Sequence, residues 1–248
     1  MQPPKRVLVT GSSRGIGKAI ALRLAHEGWA VALHYVEQRG EAEKMVAELG
    51  DAVKGCYRAN LADPSAAERL FADALADGPI HAVVNNAGVY LQTNFVETGD
   101  AEFEATLRKT LSVNFESPLK LIRAACKSFA IAGGGKILNV ASRVGFRGEP
   151  GAALYAASKA ALINLTRSLS VELAPRNIQL FGLAPGWVDT AMARSGMSDR
   201  LPTILKDIPL GRMASPSDCA ATAAFLLSDE AAYLSGVVID INGASYFH

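Results

Sequence analysis

One α/β domain, a doubly wound parallel sheet of seven strands with helices on both faces, is the fold class that the sequence predicts, and it spans residues 1–248. Three observations predict it. Short apolar runs alternate with longer amphipathic segments from one end of the chain to the other. Several of these runs are nearly continuous in apolar residues, as strands covered on both faces are, whereas a half-exposed strand alternates. No Pro/Ser-rich linker and no low-complexity stretch divides the chain. Repeated β-α-β order then requires parallel neighbours and right-handed crossovers.

A strand over 6–10 enters Thr10-Gly11-Ser12-Ser13-Arg14-Gly15-Ile16-Gly17, and a helix over 15–27 follows. Glycine is needed where backbone turns tightly or approaches a phosphate, because a Cβ would clash. The helix N-terminus presents free N–H groups and a partial positive charge to a pyrophosphate. A glycine triplet between a first strand and a first helix therefore points to a dinucleotide, with Gly11, Ser13, Arg14, Gly15, Ile16 and Gly17 as its candidate contacts. The strand over 30–35 ends at His34-Tyr35. An acid there would hold the 2′-hydroxyl of NAD and repel the 2′-phosphate of NADP. Tyr35 occupies the position instead, and Arg14 and Arg39 offer guanidinium groups able to pair with a phosphate. The balance favours NADP(H) over NAD(H). Glu37 opposes it if it turns inward, and Arg39 reads equally well as a solvated charge opening the helix over 39–49.

The strand over 54–59 is followed by Asn60-Leu61, where the asparagine can donate to or accept from an adenine. A helix over 64–75 leads to a strand over 81–85 ending in Asn85-Asn86-Ala87-Gly88, small residues that let a cofactor cross the carboxyl ends of the strands. Helices over 102–110 and 113–131 come next, and Asn114 stands at the start of the second, where an asparagine can also act as a cap. Gly133-Gly134-Gly135 stops that helix before a strand over 136–141, which Ser142 closes. The helix over 152–173 carries Tyr155 and Lys159, four residues apart and so on one face. An ammonium beside a tyrosine favours the phenolate and lowers its pKa from about 10, toward what a general acid/base needs. The Ser142 hydroxyl can hold a substrate carbonyl near Tyr155. The strand over 178–183 runs into Pro185-Gly186-Trp187-Val188-Asp189-Thr190, where proline stiffens a turn and glycine permits close approach. The rhythm breaks from 185 to about 209, and 187–209 is read as an irregular or weakly helical substrate loop with Met192, Gly196 and Met197 as a mobile apolar cover. A helix over 216–227 and a strand over 237–241 complete the order.

The GxxxGxG spacing in TGSSRGIG, the NNAG at 85–88 and YAASK at 155–159 together resemble the short-chain dehydrogenase/reductase family, over essentially the whole chain. The resemblance implies a single Rossmann-type domain and a catalytic set of Asn114, Ser142, Tyr155 and Lys159. It implies that Lys159 also holds the nicotinamide ribose and that Asn114 supports a water-linked proton relay. Asn86, Ala87 and Gly88 would lie by the adenosine ribose. Pro185, Gly186 and Val188 would face the nicotinamide, and Thr190 would reach the carboxamide or pyrophosphate. A basic residue at Arg14 goes with NADP in that family, while Asn60 departs from its usual Asp. The branch most similar is that of the 3-oxoacyl-acyl-carrier-protein reductases, through TGSSRGIG, YAASK and Ile239-Asp240-Ile241-Asn242-Gly243. The implied function is NADPH-dependent reduction of a ketone, such as the 3-oxo group of an acyl thioester, to a secondary alcohol, with acyl carrier protein as a partner. A homotetramer is implied too, with the helices over 113–131 and 152–173 between subunits. Two alternatives stand beside it: an alcohol, sugar or steroid dehydrogenase using the same site, and a catalytically silent NADP-binding sensor or scaffold. Tyr90, Leu91, Phe95, Trp187, Met192 and Met197 suggest an apolar substrate lining without a charge clamp. Arg143 and Arg147 would either meet an acidic carrier or carboxylate, or be solvated or structural.

The remaining observations exclude function classes. Twenty-five basic and 24 acidic residues leave a net charge of +1, which gives no general field toward nucleic acid or an anionic membrane. Half the residues are hydrophobic, enough for a core that needs no disulfide or metal staple. Cys56, Cys126 and Cys219 form no CxxC pair and read as inert thiols of a reducing compartment. The four histidines, His26, His34, His81 and His248, have no metal-ligand spacing and read as non-catalytic, so no metal is expected. The chain enters its first strand at once, and its apolar runs are far shorter than the ~20 residues that span a bilayer. A cytoplasmic enzyme is expected.

Overall fold

The computed structural model describes residues 4–194 and 200–248; Gly196 and Met197 of the expected cover lie outside the described residues. Nearly continuous apolar runs form β1 (Arg6–Val9), β2 (Ala30–Tyr35), β4 (Ala82–Asn85), β5 (Gly135–Val140) and β6 (Ile178–Pro185), with β3 (Val53–Arg58) and β7 (Val238–Ile241) outside them. Seven strands make one sheet in the order β3-β2-β1-β4-β5-β6-β7, every pair parallel. β1 is central: Val7 faces Val31 on one side and Ala82 on the other. Both neighbours of β1 are thus reached by crossovers, and the helices of those crossovers cover the two faces.

α1 (Gly15–His26), α2 (Arg39–Leu49) and α9 (Pro216–Leu227) pack on one face, and α3 (Ser65–Ala76), α5 (Ser117–Ala132) and α6 (Ala153–Leu173) on the other. Alternation along β1 divides the core accordingly. Val7 and Val9 join Ile20, Leu24, Phe181 and Leu227, whereas Leu8 joins Phe71, Leu121, Phe129 and Ile137. Each such side chain, buried from water on folding, contributes about 1.5–3 kcal/mol. The edge strand β3 alternates between half-buried and exposed residues, since only one neighbour covers it.

Three boundaries differ from the expectation and matter for the site. The helix expected over 113–131 is continuous with α4 (Asp100–Leu111) through a π-helical turn, Ser112–Glu116, so Asn114 is no helix start but an interior residue of a widened turn. β5 stops at Val140, leaving Ser142 two residues past the strand as the N-cap of a single 3-10 turn, Arg143–Gly145. β6 runs on through Pro185, which therefore ends the strand instead of opening the loop. Within the expected substrate loop, α7 (Ala191–Arg194) and α8 (Leu201–Lys206) are short helices, and Ile204 and Ile208 pack beneath Trp187 and Met213.

Candidate active site

The sheet order reverses between β1 and β4, so chain segments leave the two strands in opposite directions and open a crevice at their carboxyl ends. A cavity of about 850 Å³ fills that crevice. Its floor is the loop between β1 and α1. Gly11 has φ +64 and Gly15 φ +55, backbone that disfavours any side chain. A Cβ on Gly17 would run into Asn86 Nδ2 and the Gly11 carbonyl oxygen, so the third glycine serves close packing of the loop against 85–88. Among the described residues α1 has no side-chain cap, and its first-turn N–H groups have no partner there at the cavity wall formed by Gly15 and Ile16. That is the donor set a pyrophosphate takes.

Neighbouring strands hold this loop. Thr10 Oγ1 accepts from the N–H groups of Asn86 (2.9 Å) and Ala87 (3.0 Å) and donates to the Val84 carbonyl (3.1 Å). Asn86 Nδ2 donates back to the Thr10 carbonyl at 2.9 Å. From the other side, His34 Nδ1 accepts the Gly11 N–H at 2.9 Å, and its Nε2 lies 2.9 Å from the Ala59 carbonyl. Accepting at Nδ1 puts the proton on Nε2, so the ring is neutral. Burial pushes its pKa down to about 4. His34 holds the loop in shape, a structural role that its lack of metal-ligand spacing does not announce. A polar residue at the end of an otherwise apolar strand, level with the glycine loop, was the available signal.

Beyond the loop, the cavity wall includes Tyr35, Asn60, Leu61, Ala87 and Gly88. Glu37 lines it and Arg14 stands exposed at its rim, whereas Arg39 lies outside and pairs with Glu43 at 2.8 Å. Arg39 is thus the solvated helix-start charge of the two readings.

Ser142, Tyr155 and Lys159 also line the cavity, as do Pro185, Gly186 and Val188, while Thr190 reaches the glycine loop, its Cγ2 3.3 Å from where a Cβ on Gly15 would stand. Lys159 Nζ donates to the Val140 carbonyl at 2.8 Å and sits 5.7 Å from the Tyr155 ring centre. Burial pushes the Lys159 ammonium down to about 8. The expected lowering of the Tyr155 pKa is absent. Burial pushes the phenol up to about 12, with the Ser142 hydroxyl opposing and Tyr90 and Glu149 adding to the rise. Desolvation of the phenolate outweighs the Ser142 hydrogen bond that favours it. Asn114 and Gly17 lie behind the wall instead of on it. The Asn114 amide clasps the Val89 backbone, accepting from its N–H and donating to its carbonyl, both at 2.9 Å, and it also donates to Ser158 Oγ at 3.2 Å. Its Oδ1 and Lys159 Nζ flank Gly88, 3.3 and 3.6 Å from where a Cβ would stand. Gly186 also has a packing reason, since a Cβ there would come within 2.9 Å of Asn242 Cβ.

The substrate side is more polar than expected. Trp187 and Met192 line it, but so do Gln92, Arg143, Glu149 and Arg200. Arg143 is not solvated: it is 5 % exposed, donates to Ser245 Oγ at 2.9 Å and lies 3.6 Å from Glu149. Arg147 is exposed. Among the described residues, no group of three or more His, Cys, Asp or Glu could hold a metal ion, and no helix is long and apolar enough to cross a membrane. Burial raises the Cys126 and Cys219 thiols to about 11 and about 12, which keeps them protonated and unreactive.

A family model described as enoyl-(acyl carrier protein) reductase matches residues 11–244. The chain is a short-chain dehydrogenase/reductase. It is an NAD(P)-dependent oxidoreductase. This short-chain dehydrogenase/reductase is 36 % identical to the 3-oxoacyl-acyl-carrier-protein reductase of Staphylococcus aureus, over 99 % of this chain and 100 % of that one. It is 37 % identical to nodulation protein G of a Rhizobium species, over 96 % of each chain. Two solved structures share its fold over 98 % of both chains. One is a blue fluorescent protein from a metagenomic library in complex with NADPH (TM-score 0.90, 31 % identity); the other is the 3-ketoacyl-acyl-carrier-protein reductase of Brucella melitensis with NADH (TM-score 0.88, 30 % identity).

Proposed function

We propose that the chain reduces a ketone to a secondary alcohol with NADPH, and that its substrate is a 3-oxoacyl thioester presented on an acyl carrier protein. The observation that carries this reading is the presence of Ser142, Tyr155 and Lys159 together in the lining of the cavity at the sheet's switch point. The reduced nicotinamide, when bound, supplies the hydride. Tyr155 gives its proton to the alkoxide oxygen as it forms, and it is well placed to do so because burial keeps the phenol protonated. Ser142 holds the carbonyl oxygen. Lys159 binds the nicotinamide ribose and, with Asn114, returns a proton to Tyr155. The free N–H groups of α1 take the pyrophosphate, Asn60 and Leu61 flank the adenine, and Thr190 closes over the phosphates.

Exposed Arg14 supports NADP(H) by its reach toward a 2′-phosphate, although Glu37 on the same wall opposes it. The relatives named as acyl-carrier-protein reductases support the thioester. We also propose a homotetramer in the cytoplasm, with 187–209 acting as the substrate loop. A second reading, oxidation or reduction of a small polar alcohol or ketone, is favoured by Gln92, Arg143 and Glu149 in the wall.

The test is NADPH and NADH oxidation against a panel of 3-oxoacyl thioesters, plain ketones, hydroxyketones and quinones. Thioester turnover with NADPH is the expected result; turnover of hydroxyketones alone selects the second reading. Tyr155→Phe is expected to lower kcat about 10²- to 10⁴-fold while NADPH still binds. Binding of NADPH without turnover of any panel member would leave a silent sensor.

A further inference from the structure

Tyr155 is the third residue of α6, and the Ala152 N-cap of that helix makes no side-chain bond. First turns fray, because their leading N–H groups lack intrahelical partners. The helix alone therefore does not fix the Tyr155 side chain against a substrate. Lys159, one turn further on, has an anchor of its own in the Val140 carbonyl.

The support for Tyr155 comes from the loop after β4. Tyr90 meets its ring edge to face, with ring centres 5.1 Å apart and planes at 83°, and both residues line the cavity. Residues 86–94 have no regular secondary structure, so Tyr90 has no ladder to hold it. Two ties do so instead. On one side, the Asn114 amide accepts from the Val89 N–H and donates to the Val89 carbonyl, both at 2.9 Å. On the other, the Thr93 N–H donates to the Gly151 carbonyl at 3.0 Å.

Both ties lead back to Tyr155. Asn114 Nδ2 also donates to Ser158 Oγ at 3.2 Å, and Ser158 Oγ donates to the Tyr155 carbonyl at 2.7 Å. Gly151 lies just before α6 in a left-handed turn with φ +75. A Cβ there would come within 2.8 Å of Gln92 Nε2, so glycine lets the loop and the turn meet. The loop carrying Tyr90 and the helix carrying Tyr155 are thus joined at both ends of the loop, and the two rings meet inside that frame.

We propose that Tyr90 is a positioning residue for the reduction: its ring holds the Tyr155 ring in the orientation that presents the phenol to the substrate oxygen. Aromatic pairs favour this geometry because the positive edge of one ring attracts the negative face of the other. The ring supplies the contact, so the Tyr90 hydroxyl is dispensable. The proton still passes from Tyr155 to the nascent alkoxide; Tyr90 governs only how well the donor is aimed, and small errors of aim are costly in rate.

The inference rests on Tyr155 being the proton donor. The test is the single-turnover rate of NADPH oxidation at saturating substrate, which product release does not mask. It is measured in wild type, Tyr90→Phe and Tyr90→Leu, on several substrates of different size, with NADPH affinity titrated alongside. Tyr90→Leu fills similar space without a ring and is expected to slow the step about tenfold with NADPH affinity unchanged. Tyr90→Phe is expected to regain most of that loss. The loss is expected to be the same for small and bulky substrates, because it lies in the donor. In the Tyr155→Phe background, where no phenol remains to be aimed, Tyr90→Leu is expected to cost nothing further.

An unchanged rate in Tyr90→Leu, a loss that Tyr90→Phe does not restore, or a loss that varies with substrate size overturns the proposal. So does an equal loss in the Tyr155→Phe background, or a fall in NADPH affinity as large as the fall in rate. Should Tyr155→Phe keep the wild-type rate, the assignment of the donor itself falls. Should Tyr155→Phe be slow and Tyr90→Leu unaffected, only the role of Tyr90 falls.

Discussion

His34 is fully buried at the end of β2, and a single ring joins two loops there. Only a neutral ring can accept from the Gly11 N–H, so protonation removes that bond and places a charge in the interior. The consequence for stability has a definite sign. The folded pKa is lowered from 6.5 to about 4, so the contribution is fully present above pH 6.5 and is lost as pH falls toward 4. At pH 4.5 the loss is about 2–3 kcal/mol, which for a chain of this length moves Tm by roughly 5–10 °C. Calorimetry at pH 7.5 and 4.5 on wild type and His34→Gln checks this: the wild type is expected to lose more Tm than the variant, whose amide has no proton to gain. Equal losses would place the acid sensitivity elsewhere. Tyr155 and Lys159 follow the same physics with opposite outcomes. Burial disfavours the charged form of each, raising the phenol and lowering the ammonium. Their spacing on one face was legible in YAASK. The direction of the tyrosine shift was not, because it depends on how much water the surrounding wall excludes.

The loop from β1 to α1 shows why element geometry and chemistry coincide. Gly17 is helical and could be taken for a tolerant position, yet a Cβ there would meet Asn86 Nδ2 and the Gly11 carbonyl. Gly17→Ala is therefore expected to push 85–88 away from α1, destabilising the fold by about 1–3 kcal/mol and weakening NADPH binding at least tenfold. Titration of NADPH fluorescence measures the second effect; unchanged affinity would show that the loop does not hold the cofactor. The glycines, the apolar strands and the helix carrying Tyr155 were all legible because each is a local pattern with a local cause. The π-helical turn around Asn114 was not. Ser112-Val113-Asn114-Phe115 is poor in strong helix formers but holds no Gly or Pro to mark a break, and the widened turn is evident only where the Asn114 amide reaches across to Val89. Arg143 and Glu149 were hidden for a related reason. Charges at loop positions read as solvated until the fold encloses them, and here the C-terminal segment does so through Ser245.

At the scale of the whole molecule, some apolar surface remains uncovered by the chain itself. Ile131 on α5 is 91 % exposed and Val171 on α6 is 78 % exposed, and Leu119 also faces outward from α5. These two helices already bury their inner faces against the sheet through Leu121, Ile122, Phe129 and Leu169. A helix needs one apolar stripe for its own core, so apolar residues on the outer side of both long helices are in excess of that need. Single exposed hydrophobic residues are ordinary, but their presence on both of these long helices supports an interface between copies of the chain. The tetramer predicted from α5 and α6 would make such residues self-complementary across a two-fold axis, where each copy offers the same patch to the other. A stable contact of this kind buries more than about 1,000 Å² in total. Sedimentation velocity at micromolar concentration is expected to show a single species near four times the chain mass. Val171→Glu, which brings like charges face to face across the axis, is expected to shift it to dimers or monomers with the fold retained by circular dichroism. A monomer in the wild type would remove the tetramer, and an unshifted tetramer in Val171→Glu would move the interface away from α6.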